Sequence, residues 1–184
     1  MRLRPGTEVP VLSTIDFLGE PVDLAALRGR PVMLSFYRYA SCPVCNLRMH
    51  QLIAAHDHLD ELGIALVAVF QSSPAQITEH VGRQDAPFPI VADPSMELYR
   101  RFGVEARWRG LFTWAVIKTA LRAFRHGYLP GRIDGPVQRT PADFLIDADG
   151  TIAVAHYGRD INDHIPLVDI ETWLQSASRP VVPE

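Results

Sequence analysis

Residues 31 to 45 read Pro31-Val-Met-Leu-Ser-Phe-Tyr-Arg-Tyr-Ala-Ser-Cys-Pro-Val-Cys45. The first seven make an apolar run suited to a buried strand, and the last four hold both cysteines of the 184-residue chain. Beyond them Leu47, Met49, Leu52, Ile53, Leu59 and Leu62 recur at spacings of three and four, which predicts a helix over 44–62 that stops at Gly63. Cys42 and Cys45 therefore stand where a strand gives way to a helix. A helix start offers free N–H groups and the positive end of its dipole, and both favour thiolate over thiol. Pro43 pre-sets the first helical turn. A Cys-x-x-Cys beside a βαβ pattern is a redox motif.

Working outward, Ile64-Ala-Leu-Val-Ala-Val-Phe70 is a second buried strand. Ser73 is a candidate N-cap, with Pro74 opening a helix to about Arg83. Phe88-Pro-Ile-Val91 is a short strand, and Asp93-Pro94 opens a helix through Phe102 that Gly103 ends. Segments 142–147 and 151–157 flank Asp149-Gly150, a hairpin signal. A last helix covers 165–176, and Pro180-Val-Val-Pro183 is a loose tail. Upstream, residues 9–28 suggest a short hairpin turning at Gly19, then one helical turn. Strands joined by helices imply parallel pairs with right-handed crossovers, to which the hairpin adds antiparallel edges. The expected fold is α/β, with a mixed central sheet, helices on both faces and a single domain over 1–184.

Residues 105 to 127 do not belong to that alternation. They are apolar and basic, and predict an inserted helix near 108–126 with Leu111, Trp114, Ile117, Leu121 and Phe124 on one stripe. Arg122, Arg125 and His126 gather near its end, and Gly131, Gly135 and Pro136 make the following stretch a loop. Three roles stay open at this level: a helix packed over the core, a lid or homodimer contact, and a membrane-surface helix.

Apolar residues make up 47% of the chain and charged ones 21%, an ordinary globular balance, and the net charge of −3 gives no reason to expect nucleic acid. The basic start Met1-Arg-Leu-Arg4 lacks the apolar stretch of a signal peptide, and no run reaches the roughly 18 apolar residues of a membrane span. The expected location is the cytoplasm, where thiols serve catalysis or metal binding rather than structural cross-links. A copper or zinc module is the competing reading, with His50, His126 or His156 completing a site, although a second ligand pair at zinc spacing is missing. Asp147-x-Asp149-Gly150 reads as a turn rather than a calcium loop, because the downstream Glu is absent. The polar segment His156 to His164 reads as a hairpin end running into a helix.

Three segments carry a family resemblance: Leu24-x-x-Leu-Arg-Gly-x-Pro-Val-x-Leu-x-Phe-Tyr37, the Cys42-x-x-Cys45 pair, and Asp143-Phe-Leu-Ile-Asp-x-x-Gly-x-Ile152. The chain resembles the thioredoxin superfamily, and within it the peroxiredoxin-like branch of alkyl hydroperoxide reductase and thiol-specific antioxidant proteins. The resemblance implies a thioredoxin-like fold and a thiol-dependent oxidoreductase without organic cofactor. Its substrate would be a hydroperoxide or a protein disulfide, and its reductant an external thioredoxin- or glutathione-like thiol. It also implies a cis-proline facing the thiols, here Pro141, with Thr140 presenting backbone groups to a docked substrate.

The peroxiredoxin pattern Pro-x-x-x-Thr-x-x-Cys places Arg38 in the proline slot, Cys42 in the threonine slot and Cys45 in the peroxidatic slot. For the arginine that this family keeps near its thiolate, the candidates are Arg38 and Arg139; Tyr37 and Tyr39 border the thiols. The two parent patterns name different nucleophiles. A thioredoxin-like route has Cys42 attack and Cys45 resolve. A peroxiredoxin-like route has Cys45 oxidised to sulfenic acid and condensed by Cys42.

Overall fold

The computed structural model describes residues 1–104, 114–129 and 131–177. Two short strands, β1 (Ser13–Ile15) and β2 (Pro21–Asp23), pair antiparallel across a turn in which Gly19 takes a positive φ of 95°. The Asp16 carboxylate accepts from the N–H groups of Leu18 and Glu20 and holds that turn. There follow β3 (Val32–Phe36), α1 (Pro43–Glu61), β4 (Ala65–Phe70), α2 (Pro74–Glu79), β5 (Ile90–Ala92) and α3 (Glu97–Arg101). The inserted helix α4 (Trp114–Arg125), strands β6 (Ala142–Ile146) and β7 (Ile152–Tyr157), and α5 (Leu167–Ala177) complete the order.

The main sheet runs β5-β4-β3-β6-β7. β3 pairs parallel with β4, and β4 with β5; β3 pairs antiparallel with β6, and β6 with β7. This is the α/β thioredoxin-like plan with a mixed five-stranded sheet, and β3 lies at its centre. Residues alternate faces along a strand, so a strand buried on both sides must be apolar throughout. Met33 joins the layer under α1 and α5 with Met49, Leu52, Leu59, Ile170 and Leu174. Leu34 and Phe36 enter the opposite layer with Leu12, Val22, Tyr99 and Phe102.

The predicted elements mostly stand, with instructive differences. The second helix divides: α2 ends at Glu79, and a 3-10 turn follows over Val81–Gln84. A Cβ at Gly82 would stand 2.9 Å from the Ile77 carbonyl oxygen and 3.0 Å from the Phe17 ring, so the missing side chain permits that tight turn. α3 begins only at Glu97, because the Asp93 carboxylate accepts from the N–H groups of Glu97 and Leu98 and occupies the helix start itself.

The apolar stripe of the inserted helix is not its buried face. α4 packs on α1. Val116 and Ala123 are buried, whereas Ile117, Leu121 and Phe124 of the apolar stripe are exposed. Small residues at Ala120 and Ala123 let the two helices approach on the side away from the large apolar groups. Leu111 and the expected start of this helix lie outside the described residues, as does the 180–183 tail.

Tyr99 ties α3 to the end of the sheet from which the thiol loop departs. Its hydroxyl lies 2.7 Å from the Tyr37 carbonyl oxygen and 3.1 Å from that of Val69, and its ring meets Phe36 edge-on at 5.1 Å. Tyr99→Phe keeps the packing and strands these groups, so urea unfolding should show a loss of about 1–3 kcal/mol.

Candidate active site

The two thiols sit at the carboxyl end of β3. Tyr37 N–H still bonds to the Val69 carbonyl at 2.8 Å, after which the chain leaves the sheet and Cys42 N–H bonds to the Tyr39 carbonyl at 3.0 Å. Cys42 is the N-cap of α1, with extended backbone angles, and Pro43 begins the helix. Asn46, which sequence reasoning did not single out, pins the loop: its side-chain amide donates to the carbonyls of Ala40 at 2.6 Å and Cys42 at 3.0 Å. Gln84 in turn donates to the Asn46 side-chain oxygen at 3.0 Å. A lone amide among Val44, Cys45 and Leu47 at the start of the helix was the available signal.

Both cysteines are free and buried, Cys42 at 1% exposure and Cys45 at 2%. Their environments push them apart. A hydrogen bond from Cys45 brings the Cys42 thiol down to about 6, against the opposing effect of burial and with help from Arg38 and the N–H groups of Cys45 and Val44. Burial pushes the Cys45 thiol up, and donating to Cys42 pushes it further. The pair is thus arranged as thiolate at Cys42 and thiol at Cys45.

Arg38 is the cation of the site. Its guanidinium donates to the Cys42 sulfur at 3.5 Å and to the Val137 carbonyl at 2.5 Å, and lies 4.9 Å from the centre of the Tyr39 ring. Burial raises the Tyr39 phenol, and the charge at Cys42 raises it further. Tyr37 turns the other way, stacked on Phe70 at 4.8 Å. Arg139 does not join the thiols. It donates to Gln71 at 3.0 Å and to the Val104 carbonyl, and stacks 4.6 Å over the Tyr99 ring.

The cis-proline expectation is not met: the chain has no cis peptide bond among the described residues, so Thr140–Pro141 is trans. The Pro141 carbonyl accepts from Gly158 N–H at 2.9 Å, which draws the proline straight into the β6–β7 pairing. Phe36 pairs with Ala142. Continuing that register sets Pro141 opposite Tyr37 and Thr140 opposite Arg38, so both still border the thiol loop. His156 is occupied locally, against Asp163. Among the described residues no group of three or more His, Cys, Asp or Glu side chains gathers to hold a metal, and the rings of His50 and His126, 5.6 Å apart, neighbour the Tyr128 ring.

The segment after α4 forms a strap across the thiol loop. Ser41 donates to the Arg132 carbonyl at 2.6 Å, Ser72 to Asp134 at 2.7 Å and Gln71 to the Pro136 carbonyl at 3.3 Å. Ser72 also accepts from Ala40 N–H at 2.7 Å, so the strap and the thiol loop share one hydroxyl. A Cβ at Gly131 would come within 2.8 Å of the Ser41 Cβ. At Gly135 it would collide with the buried Gln71 side chain, whose amide is held by Arg139 and Pro136.

A thioredoxin-like sheet with a polarised dithiol at the start of its first long helix defines a thiol-dependent oxidoreductase. The comparisons give the class its family. The model of the AhpC/TSA family matches residues 5–155. A putative peroxiredoxin of Mycobacterium tuberculosis is 28% identical over 89% of this chain and 91% of its own length. Peroxiredoxin Bcp of Escherichia coli is 25% identical over 82% of this chain and 83% of its own. Among solved structures, peroxidoxin BcpB of M. tuberculosis superposes with a TM-score of 0.69 at 18% identity, covering 97% of this chain and all of that one. A putative thiol:disulfide interchange protein DsbE of Chlorobium tepidum reaches 0.65 at 19% identity, covering 95% and 98%. The chain belongs to the AhpC/TSA family and is a peroxiredoxin-type thiol peroxidase.

Two measurements follow from this geometry. Alkylation of Cys42 in the reduced protein should rise with pH about a midpoint near 6 while Cys45 stays unreactive through neutrality. Arg38→Met should move that midpoint up by about one pH unit. Because the native Cys42 value lies below its ordinary 9.0, the native state holds fewer protons than the unfolded chain between those limits. The stability Cys42 contributes is therefore complete above about 9 and lost as pH falls through about 6. Separately, Gly135→Ala should prise the strap from Gln71, and the rate of Cys42 labelling should increase without loss of the fold.

Proposed function

We propose that this chain, as one domain in the cytoplasm, reduces hydroperoxides with Cys42 as the attacking thiolate and Cys45 as the resolving thiol. The observation carrying this reading is the Cys42 sulfur, held low by Cys45 and Arg38. Near-complete burial of both sulfurs also favours a small oxidant over a folded protein disulfide as first reactant.

In the first step the Cys42 thiolate attacks one peroxide oxygen. The S–O bond forms, the O–O bond breaks, and the departing alkoxide takes a proton to leave as an alcohol or water. Arg38 holds the thiolate, and its charge also steadies the developing oxyanion. Thr140, opposite Arg38, and Pro141 form the wall against which the peroxide is positioned; Tyr39 lies on the guanidinium. In the second step the Cys45 sulfur attacks the Cys42 sulfenic acid, water leaves, and the Cys42–Cys45 disulfide forms. An external dithiol of thioredoxin or glutathione type returns both electrons by thiol–disulfide exchange. Arg139 acts at a distance, as a brace of Gln71 and Tyr99. Among the described residues no helix is long and apolar enough to cross a membrane.

Each cysteine variant should give a distinct product. Cys45→Ser treated with one equivalent of hydroperoxide should accumulate a dimedone-reactive sulfenic acid on Cys42, whereas Cys42→Ser should fall to background peroxide consumption. A sulfenic acid on Cys45 in Cys42→Ser, formed at the wild-type rate, would reverse the assignment. Faster turnover of a protein disulfide than of hydroperoxide would reverse the substrate.

A further inference from the structure

On the far side of the first turn of α1 from the strap, a cavity of about 200 Å³ opens between α1, α4 and the loop leading to α5. Its described polar walls are Arg48, Gln51, Thr119, Arg122, Asn162 and His164, two guanidiniums among neutral or basic groups and no carboxylate. Arg48 is only 9% exposed. One of its terminal nitrogens donates to the Ile165 carbonyl at 2.7 Å, and its Nε is buried with no partner among the described residues. The buried Asp143 carboxylate feels the Arg48 charge but does not line the cavity, so the lining itself presents two guanidiniums, one with an unpartnered Nε, and no carboxylate to face them.

That carboxylate is largely engaged elsewhere. Asp143, fully buried, lies 3.1 Å from His164 Nδ1 through both oxygens and accepts from Ile165 N–H at 2.8 Å. It fixes the His164 ring as one wall and stays out of the cavity lining. The floor of the cavity is Val44 and Leu47, the residues on either side of Cys45 and Asn46.

We propose that this cavity binds the oxyanion of a small ligand, a phosphate or carboxylate group, between Arg48 and Arg122. The planar fork of Arg48 takes two of its oxygens, and Gln51, Thr119 and Asn162 supply neutral polar contacts. The site lies outside the thiol loop and the strap, and so does not depend on which cysteine reacts. It rests on the back of the helical turn that carries both sulfurs, which makes it an anchor for an anionic reactant or effector.

Calorimetric titration of the reduced full chain with inorganic phosphate and, separately, with succinate tests this. At least one should bind saturably at one site per chain and raise the melting temperature, and the tighter of the two identifies the source of the oxyanion. Arg122→Glu, an exposed position on α4, should weaken that binding about tenfold or more. Arg48→Lys, which keeps the charge and loses the fork, should weaken it as well. Cys42→Ser should bind like the wild type, so loss of peroxidase chemistry is read separately from loss of the anion. Absence of saturable binding by both anions, or equal affinity in Arg122→Glu, overturns the proposal.

Discussion

A sulfur anion cannot be buried alone, and the architecture around Cys42 follows from that constraint. At 1% exposure its charge has no water to rely on. The helix start, the Cys45 thiol and the Arg38 guanidinium take the place of water. Each in turn imposes a demand. The helix start requires the chain to leave β3 after Tyr37 and turn within five residues. The Arg38 cation needs an acceptor for its other end, and the Val137 carbonyl is that acceptor. The segment that follows α4 is thereby bound into the site at Val137.

Within the family frame, the exchange of two helper positions has a physical meaning. On the resemblance, Arg38 falls in the slot that ordinarily holds proline, and the thiol loop itself carries a cation beside Cys42. The slot that ordinarily holds threonine holds Cys42, so a polarising hydroxyl is replaced by a second redox sulfur. Arg139, the candidate nearest the other family pattern, is released to brace Tyr99 and Gln71. The dithiol is of the thioredoxin kind, and the frame is that of a peroxiredoxin.

Much of this was legible in the residues, where periodicity and chemistry agree. The run 31–37, the repeat of apolar positions from Leu47 to Leu62, and Asp149-Gly150 each specify one local structure, and a mixed sheet follows from their succession. Cys42, Cys45 and Arg38 were visible because few residue types do their chemistry. What escaped depends on contacts distant in sequence. Pro141 was expected to be cis from its place before β6, whereas its bond to Thr140 is trans. The apolar stripe of α4 was legible, but which side of the helix is buried was left open, and it is the other side. Helix packing there selects small residues such as Ala120 and Ala123, which a hydrophobicity count undervalues. The strap's use of Ser72 has no local signature at all.

The bond between Arg38 and the Val137 carbonyl has a further consequence. Once Cys42 is oxidised its sulfur carries no negative charge, yet the guanidinium remains buried, with one carbonyl and one aromatic ring as its principal company. A buried cation that has lost its counter-charge is costly to keep. The enclosure is therefore most favourable while the sulfur is a thiolate and least favourable once it is oxidised, so the charge balance that closes the site is undone by oxidation of the sulfur it closes over.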